Sequence, residues 1–342
     1  MEIVFMNKFL LKFKQKDSFN LKLKLKKSLP VLKIILLMLP LLFLILLFTI
    51  IPIFHTFIKS LRFAPNEANR TIYEYNFKNY NNILSDPNFQ HAIINSTFVL
   101  LFGTGISIIL ALIFSFIINS LISKSTKSVL LSVIYSQFFI SGFAIGIAFT
   151  NFFGSKNLFF YILGLNQYSF TSGNKRLPIW IYYAIYQIWR SLPFNLILFA
   201  AALSRSDYKY KKLMLNDKLT LLQSFRYVYL NELSKVLFSI LFTNFIFACL
   251  LLPSALLEDN FNVDLNYAHT LTSYTIKYFG WGSSGVLRYE RAHSAAFFSF
   301  SYLVLLLCLI LLLRPKTIKS IYKLIKKVIL KNRGKYESKN NN

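Results

Sequence analysis

Four histidines, His55, His91, His269 and His293, and two cysteines, Cys249 and Cys308, are the side chains with which this 342-residue chain could hold a metal or run nucleophilic chemistry. They are scattered, and none falls at the short spacing that a metal site or a redox pair uses. The 13 acidic residues are likewise spread out, not gathered as the paired carboxylates of a general acid–base site. Nothing in the sequence points to a Ser/His/Asp set. No GxxxxGK[ST] phosphate loop occurs, so nucleotide binding of that kind is not expected. No cofactor, no metal and no catalytic residue are expected, and the chain reads as no enzyme. Both cysteines lie inside apolar blocks, where no disulfide framework can be built from them.

One ionisable residue stands apart by its place. Arg190 lies about midway in the apolar block between Pro178 and Leu203. A central Arg costs at least ~2.5–3.5 kcal/mol on membrane-insertion scales, so it should face a bundle interior or a wet cavity. Tyr183, Tyr186 and Ile197 share its helical face by the i, i+3/i+4 rule. Pro193 removes a backbone hydrogen bond and predicts a kink. Two readings stay open for Arg190: it lines a path and attracts a polar or anionic solute, or it is a structural Arg paired with a neighbouring carbonyl or carboxylate. Asn244, with Thr243, is a further path candidate, although polar residues in lipid more often bond helix to helix. His55 reads as an interfacial residue.

The elements that position these residues are membrane helices. Hydrophobic residues make up 55% of the chain, charged residues only 15%, and the mean hydropathy is +0.49. A soluble surface normally needs about a quarter charged residues. The apolar residues gather at roughly 31–58, 94–122, 128–153, 178–203, 236–257 and 293–314, and about 20 apolar residues in a helix cross the hydrocarbon. Backbone amides in lipid must bond internally, so these blocks are helices. The first is too long for a signal-peptide core and has no small-residue cleavage site after it, so it reads as a retained span.

Charge then orients the bundle. Nine lysines lie in residues 1–33, two in the turn 123–128, seven Lys or Arg in 204–235 and ten from Arg314 onward, together 28 on one side. Ten lie in the alternate segments, and Arg190 completes the count of 39. The positive-inside rule therefore places both termini in the cytoplasm. The fold expected is an all-α, polytopic bundle of six transmembrane helices, N-in and C-in. Residues 1–30 form a basic N-terminal segment, 31–314 the transmembrane domain with its core at 94–314, and 315–342 a basic tail. Within that tail, 316–331 has the spacing of an interfacial amphipathic helix. The net charge of +26 flanks the apolar blocks, which argues for membrane lipid as a partner and against nucleic acid.

The longest internal cytoplasmic segment, 204–235, reads as a helix through 211–222 and a second short helix or turn around 225–230. A basic, aromatic helix under a membrane bundle can be an interfacial anchor or a docking surface. The run Ile188-Trp189-Arg190-Ser191-Leu192-Pro193-Phe194-Asn195, continued by Phe199-Ala200-Ala201-Ala202-Leu203 and this segment, resembles the binding-protein-dependent ABC importer permeases. More narrowly, it is similar to the branch carrying sugars and glycerol 3-phosphate. That family's segment follows the pattern EAAxxDGAxxxxxF, then a hydrophobic stretch ending in Leu-Pro. Aligned on Phe225, the acidic position falls on Asp217, the small hydroxyl on Thr220, the glutamine on Gln223 and the leucine on Leu230. Lys212-Leu213-Met214 stand where Glu-Ala-Ala would be, Lys218 replaces the glycine and Asn231 the proline.

Other segments resemble the family in order along 40–310. They are Pro40, Pro52 and Ser60; Asn79-Tyr80, Ile83-Leu84, Asp86-Pro87-Asn88-Phe89, Ala92 and Asn95-Ser96; Gly154, Asn157 and Leu163-Gly164-Leu165; and Thr270-Leu271, Tyr274, Phe279, Ala292 and Ser294-Ala295-Ala296. The resemblance implies a permease of the MetI-like fold in a bacterial plasma membrane, forming half of a pathway for a sugar, polyol or glycerol-phosphate-type solute. It implies as partners a second, similar permease subunit, giving a heterodimer, two ATPase subunits and an extracellular solute-binding protein. It also implies a coupling loop whose contact residues are Lys211, Lys212, Asp217, Thr220, Gln223, Phe225 and Leu230. Two alternatives are a six-span membrane enzyme or lipid-handling scaffold without an ATPase partner, and a secondary transporter, for which no inverted repeat of broken helices is evident.

Overall fold

The computed structural model describes residues 34, 36–65, 72–121, 123–140, 142–154, 157–172, 175–258, 261–281 and 287–312. The basic N-terminal segment and the amphipathic tail helix expected at 316–331 lie outside the described residues. Backbone contacts divide the chain at Ile58/Lys59. The first unit contributes most of α1 (Leu36–Ser60), which is long and apolar enough to cross a membrane. Pro52 cannot donate to the turn before it, and the helix widens into a π-turn at Leu46–Ile50 to absorb that defect.

The second unit opens with a two-residue antiparallel pair, β1 (Arg62–Phe63) with β2 (Glu74–Tyr75), followed by α2 (Lys78–Leu84). The helix α3 (Pro87–Ser120) starts where the Asp86 side chain accepts from Asn88 N and Pro87 takes the first helical position. Then come α4 (Lys124–Ser136), α5 (Gly142–Phe153), α6 (Leu158–Ile162) and a short parallel pair, β3 (Tyr168–Ser169) with β4 (Lys175–Arg176). The long α7 (Ile179–Asn216) follows, then α8 (Leu222–Cys249), the short α9 (Leu271–Ile276) and α10 (Tyr289–Leu312).

Among the described residues, four helices have the length and composition of a membrane span: α1, α3, α8 and α10. Two of the six expected blocks take another form. The block at 128–153 breaks, because α4 ends in a 3-10 turn over Gln137–Phe139 and Ile140 leaves helical geometry with ψ 134° before Gly142 starts α5. The block at 178–203 is the front part of α7, whose 38 residues make a rod of about 57 Å. It is too polar to count as lipid-facing, since Gln187, Ser191 and Asn195 lie along it, but all three are fully buried in protein. The fifth helix is also displaced, running from Leu222 to Cys249 instead of 236–257, and a turn at Pro253–Ala255 follows it. The expected helix through 211–222 does not form as one piece: α7 ends at Asn216 and α8 starts at Leu222.

The middle of the second unit is α7 packed along α3 and α8. Two glycines allow close approach. A Cβ on Gly103 would sit 3.0 Å from the Gln187 Cβ, and one on Gly146 would sit 2.3 Å from the carbonyl oxygen of Ala255. Three apolar clusters surround this axis. One gathers the rings of Phe149, Phe153, Phe160, Phe170, Tyr182 and Tyr186. A second joins α2, the start of α3, α9 and α10 through Ile83, Phe89, Tyr274 and Ala295. The third joins Ala111, Ile118, Leu196, Leu203 and Ile240 of α3, α7 and α8.

Candidate functional site

The 204–235 segment is a helix–turn–helix built from local capping. At the end of α7, Lys218 takes the left-handed conformation with φ 47°. Its N–H reaches the Leu215 carbonyl at 3.2 Å, and Leu219 N reaches the Met214 carbonyl at 3.1 Å, the paired bonds of a Schellman ending. The position at which Lys218 replaces the family's glycine therefore has the geometry a glycine favours. Lys218→Gly is expected to raise stability by about 0.5–1 kcal/mol, the left-handed penalty less the entropy glycine adds to the unfolded chain. A thermal melt of the purified variant checks this.

Thr220 and Gln223 then close a reciprocal capping box. Gln223 Oε1 accepts from Thr220 N at 3.0 Å, and Thr220 Oγ1 accepts from Gln223 N at 3.4 Å. Phe225 turns inward, its ring 5.9 Å from that of Phe116 on α3. Lys211, Lys212, Asp217 and Leu230 are exposed, as are the apolar Leu213, Leu215, Leu222 and Tyr227 around the turn. The tip is thus an apolar patch carrying positive charge.

This tip is tied to the bundle by a polar cluster that sequence reasoning missed. Asp207 on α7 receives Asn119 Nδ2 of α3 at 2.5 Å on one carboxylate oxygen and the Tyr229 hydroxyl of α8 at 2.6 Å on the other. Lys127 of α4 donates to Asn119 Oδ1 at 2.5 Å and to Ser204 Oγ at 2.9 Å. Burial lowers the Lys127 pKa from its ordinary value, while Asp207 pulls the other way. One carboxylate thereby joins α3, α7 and α8, and Lys127 adds α4 through Asn119 and Ser204. The available signal was Asp207 itself, an acid in a strongly basic segment.

Deeper in, α3, α7 and α8 share a second polar junction. Asn244 Nδ2 donates to Asn195 Oδ1 at 2.7 Å, Asn195 Nδ2 donates to Ser107 Oγ at 2.9 Å, and Ser107 Oγ lies 2.6 Å from Ser191 Oγ. Gln187 Nε2 donates to the Asn244 carbonyl at 3.0 Å. Asn244 is fully buried here and serves as glue between helices. Arg190 is half-buried with its guanidinium 4.5 Å from the ring centroid of Phe247 on α8, a cation–π contact. Tyr186 is buried beside it, 5.3 Å from Phe149, and Tyr183 donates its hydroxyl to the Ala268 carbonyl at 2.7 Å. Arg190 and Tyr186 are brought together, whereas Tyr183 and Asn244 are committed to other contacts.

The residues that carried the family resemblance interlock at the other end of the bundle. Asn79 Nδ2 donates to the carbonyls of Ser60 at 3.2 Å and Arg62 at 2.6 Å, Ser294 Oγ donates to Ser60 O at 2.8 Å, and Tyr80 OH lies 2.5 Å from Ser60 Oγ. Tyr274 OH donates to Asp86 Oδ2 at 2.7 Å, Leu271 N donates to Ser96 Oγ at 2.9 Å, and Asn95 Nδ2 donates to the His269 carbonyl at 2.9 Å. Collinear in sequence, they staple α2, α3, α9 and α10 in space.

Beside that staple, His269 Nδ1 lies 3.1 Å from Ser273 Oγ and Nε2 lies 2.9 Å from Asp264 Oδ1, an order of groups that imitates a nucleophilic triad. Ser273 is occupied otherwise: its hydroxyl donates to the Thr270 carbonyl at 3.1 Å and accepts from Thr270 N at 2.9 Å, the capping box of α9. Lys277 also holds Asp264 Oδ1. Burial depresses the His269 pKa from 6.5, with Asp264 opposing and Lys277 reinforcing. For Asp264, burial raises the pKa, but the contacts from Lys277 and His269 outweigh it and hold it below 3.8. The folded state therefore binds fewer protons than the unfolded state, first below pH 6.5 through His269 and then below 3.8 through Asp264. Melting temperature is expected to fall as pH drops from 6.5 toward 5, and His269→Gln should flatten that stretch. An equally steep decline in the variant would remove His269 as the cause.

No family model matches the sequence. Aligned over 211 residues, the chain is 28% identical to a probable ABC transporter permease protein of Mycoplasma genitalium, an alignment taking in 59% of this chain and 62% of that protein. The chain thus matches less than two thirds of that relative's length. Among solved structures, it shares its fold with a chain of a bacterial ABC transporter involved in the import of the acidic polysaccharide alginate, at TM-score 0.55 and 20% identity, covering 83% of this chain and 95% of that one. A chain of the bacterial alginate ABC transporter in complex with alginate pentasaccharide-bound periplasmic protein superposes at TM-score 0.56 with 19% identity, covering 85% of this chain and 97% of that one. At such identity the likeness is one of fold. The resemblance to ABC importer permeases drawn from residues 40–310 is met in sequence by a permease relative and in fold by importer chains. These relatives are transport components, and the chain described here is a membrane-embedded helical protein similar to them.

Proposed function

We propose that this chain is the permease subunit of an ATP-driven importer in a bacterial plasma membrane, providing half of a pathway for a carbohydrate-class solute. The observation that carries this reading is the helix–turn–helix of 204–235. It is capped within itself, exposes basic and apolar side chains at its tip, and is fastened by Asp207 to α3 and α8, with α4 linked through Asn119. That construction suits a lever: a rigid, protruding element whose displacement moves α3, α7 and α8 together. An importer chain with no phosphate loop of its own needs a motor in another chain, so one of two ATPase subunits would grip the loop of Lys211, Lys212, Asp217, Thr220, Gln223, Phe225 and Leu230. A second, similar permease would complete the pathway, and an extracellular binding protein would deliver the solute.

In this reading the permease domain is 31–314, flanked by the basic segments 1–30 and 315–342. The chain crosses the bilayer six times with both termini inside, α4–α5 serving as one broken crossing and the front of α7 as another. The alginate importer neighbours favour a sugar or sugar-acid solute over other cargo, with polyols and glycerol phosphates in the same class. Arg190, held against Phe247 and beside Tyr186, is the path residue proposed here, and a cation there favours anionic solutes. Co-expression with the ATPase, binding-protein and second permease genes tests the assignment. The purified complex should contain an ATPase and hydrolyse ATP faster with a carbohydrate-loaded binding protein. A complex lacking a nucleotide-hydrolysing subunit, or a 204–235 tag reached only from outside the cell, overturns it.

A further inference from the structure

A cavity of about 480 Å³ opens where α1 ends and α10 begins. Its polar lining is Lys59, Arg62, Glu290 and His293, and its aromatic lining is Tyr73, Phe279 and Tyr289. Phe279 meets His293 edge-on at 5.5 Å and Tyr289 at a tilt at 6.0 Å between ring centroids. An adjoining cavity of about 190 Å³ shares Glu290 and adds Arg288 and Arg291. Four cations therefore line the two cavities, and Glu290 is the one carboxylate among the described residues lining them. Arg62 is placed with care: the buried Asn79 holds its carbonyl at 2.6 Å, and β1–β2 pairing opposes it to Tyr75. Its guanidinium lies 5.8 Å from the Tyr73 ring centroid, and its Nε is buried with no hydrogen-bond partner among the described residues. A buried donor left unmatched carries a desolvation cost that an arriving acceptor relieves.

We propose that this cavity binds the phosphate of a glycerol-type headgroup, supplied by an anionic phospholipid. Depth decides for lipid as the source. Lys59 stands in the last turn of the apolar α1 and Tyr289, Glu290 and His293 in the first turns of α10, the level at which aromatic and basic side chains meet headgroups. Basic pockets between membrane helices take anionic headgroups by charge, here at the end that the proposed topology turns outward, and the aromatic wall offers an apolar face for the glycerol. The site neither requires nor excludes an ATPase partner, so it stands apart from the importer reading.

The test uses the full chain in nanodiscs of neutral phosphatidylcholine. Added short-chain phosphatidylglycerol should raise the melting temperature, and Arg62→Gln and Lys59→Gln should each weaken that half-saturation at least tenfold. Lys175→Gln, at an exposed position outside the cavity lining, should leave it unchanged. Should Arg62→Gln not fold, Arg62→Lys, which keeps the charge and loses the fork, serves with Lys59→Gln. Protection by soluble glycerol 3-phosphate as well supports the phosphate site and broadens its source, and protection by the lipid alone supports it as a lipid site. Lack of protection by either phosphate ester, or equal protection in the cavity variants and the wild type, overturns it.

Discussion

In the importer proposed above, replacing Asp207 by alanine is expected to cut solute-stimulated ATP hydrolysis at least tenfold, while the proposed ATPase subunits still co-purify with this chain. The reasoning is structural. Asp207 accepts from Asn119 of α3 at 2.5 Å and from Tyr229 of α8 at 2.6 Å, and Asn119 in turn accepts from Lys127 of α4. Each hydrogen bond to a charged group is worth about 1.5–3 kcal/mol, and loss of about 1.4 kcal/mol is already tenfold in an equilibrium. The exposed tip residues that an ATPase would grip are untouched by the change, so docking survives and transmission fails. Asp207→Asn keeps one acceptor oxygen and should fall between alanine and wild type. Normal stimulation in the alanine variant, with the complex intact, would show that the tip moves the bundle by some other connection.

The second large effect is on stability. Asn195→Ala is expected to lower the unfolding free energy by about 2–3 kcal/mol, because it strips a donor from Ser107 and both a donor and an acceptor from Asn244, inside protein and away from water. Interhelical hydrogen bonds in membrane proteins average about 0.6 kcal/mol in cycles, with a maximum near 1.7. The larger figure expected here reflects several bonds lost together and a cavity left at a fully buried position. Asn244→Ala should cost a similar amount. The double variant should cost clearly less than the sum, since the second change removes a group already orphaned by the first. Strict additivity in a denaturant titration of the four proteins would falsify the pairing.

Both effects depend on contacts that a single sequence barely announces. Asn119 and Asp207 are 88 residues apart, as are Ser107 and Asn195, and nothing in either local pattern names the other. Arg190 could be singled out because a lone charge in an apolar block is costly wherever it sits, yet its partner, Phe247, is an apolar residue on another helix and gave no signal. Asn244 was legible as polar and as glue between helices, but its partner Asn195 was not. Thr220 and Gln223 were read only as positions of the family pattern, although the capping box they form spans four residues and needs no distant partner. The positions of the helix breaks at Ile140 and at 217–220 were missed because the flanking residues stay apolar or helix-forming through them.

What the sequence determined alone was the solvent of this protein, the approximate places of its apolar helices, the asymmetry of its basic residues and the resemblance carried by residues 40–310. Transfer free energy and charge belong to residues and sum along short windows, so they can be read without a fold. Which helices meet, and therefore that Asp207 clamps the 204–235 tip, that Asn195 faces Asn244 and that Lys59 and Arg62 share a cavity with Glu290, was decided only by tertiary structure. A hydrogen bond or a cavity belongs to residues distant in the chain, and only the packing of α3, α7 and α8, or of α2 and α10 around the end of α1, brings their members within reach.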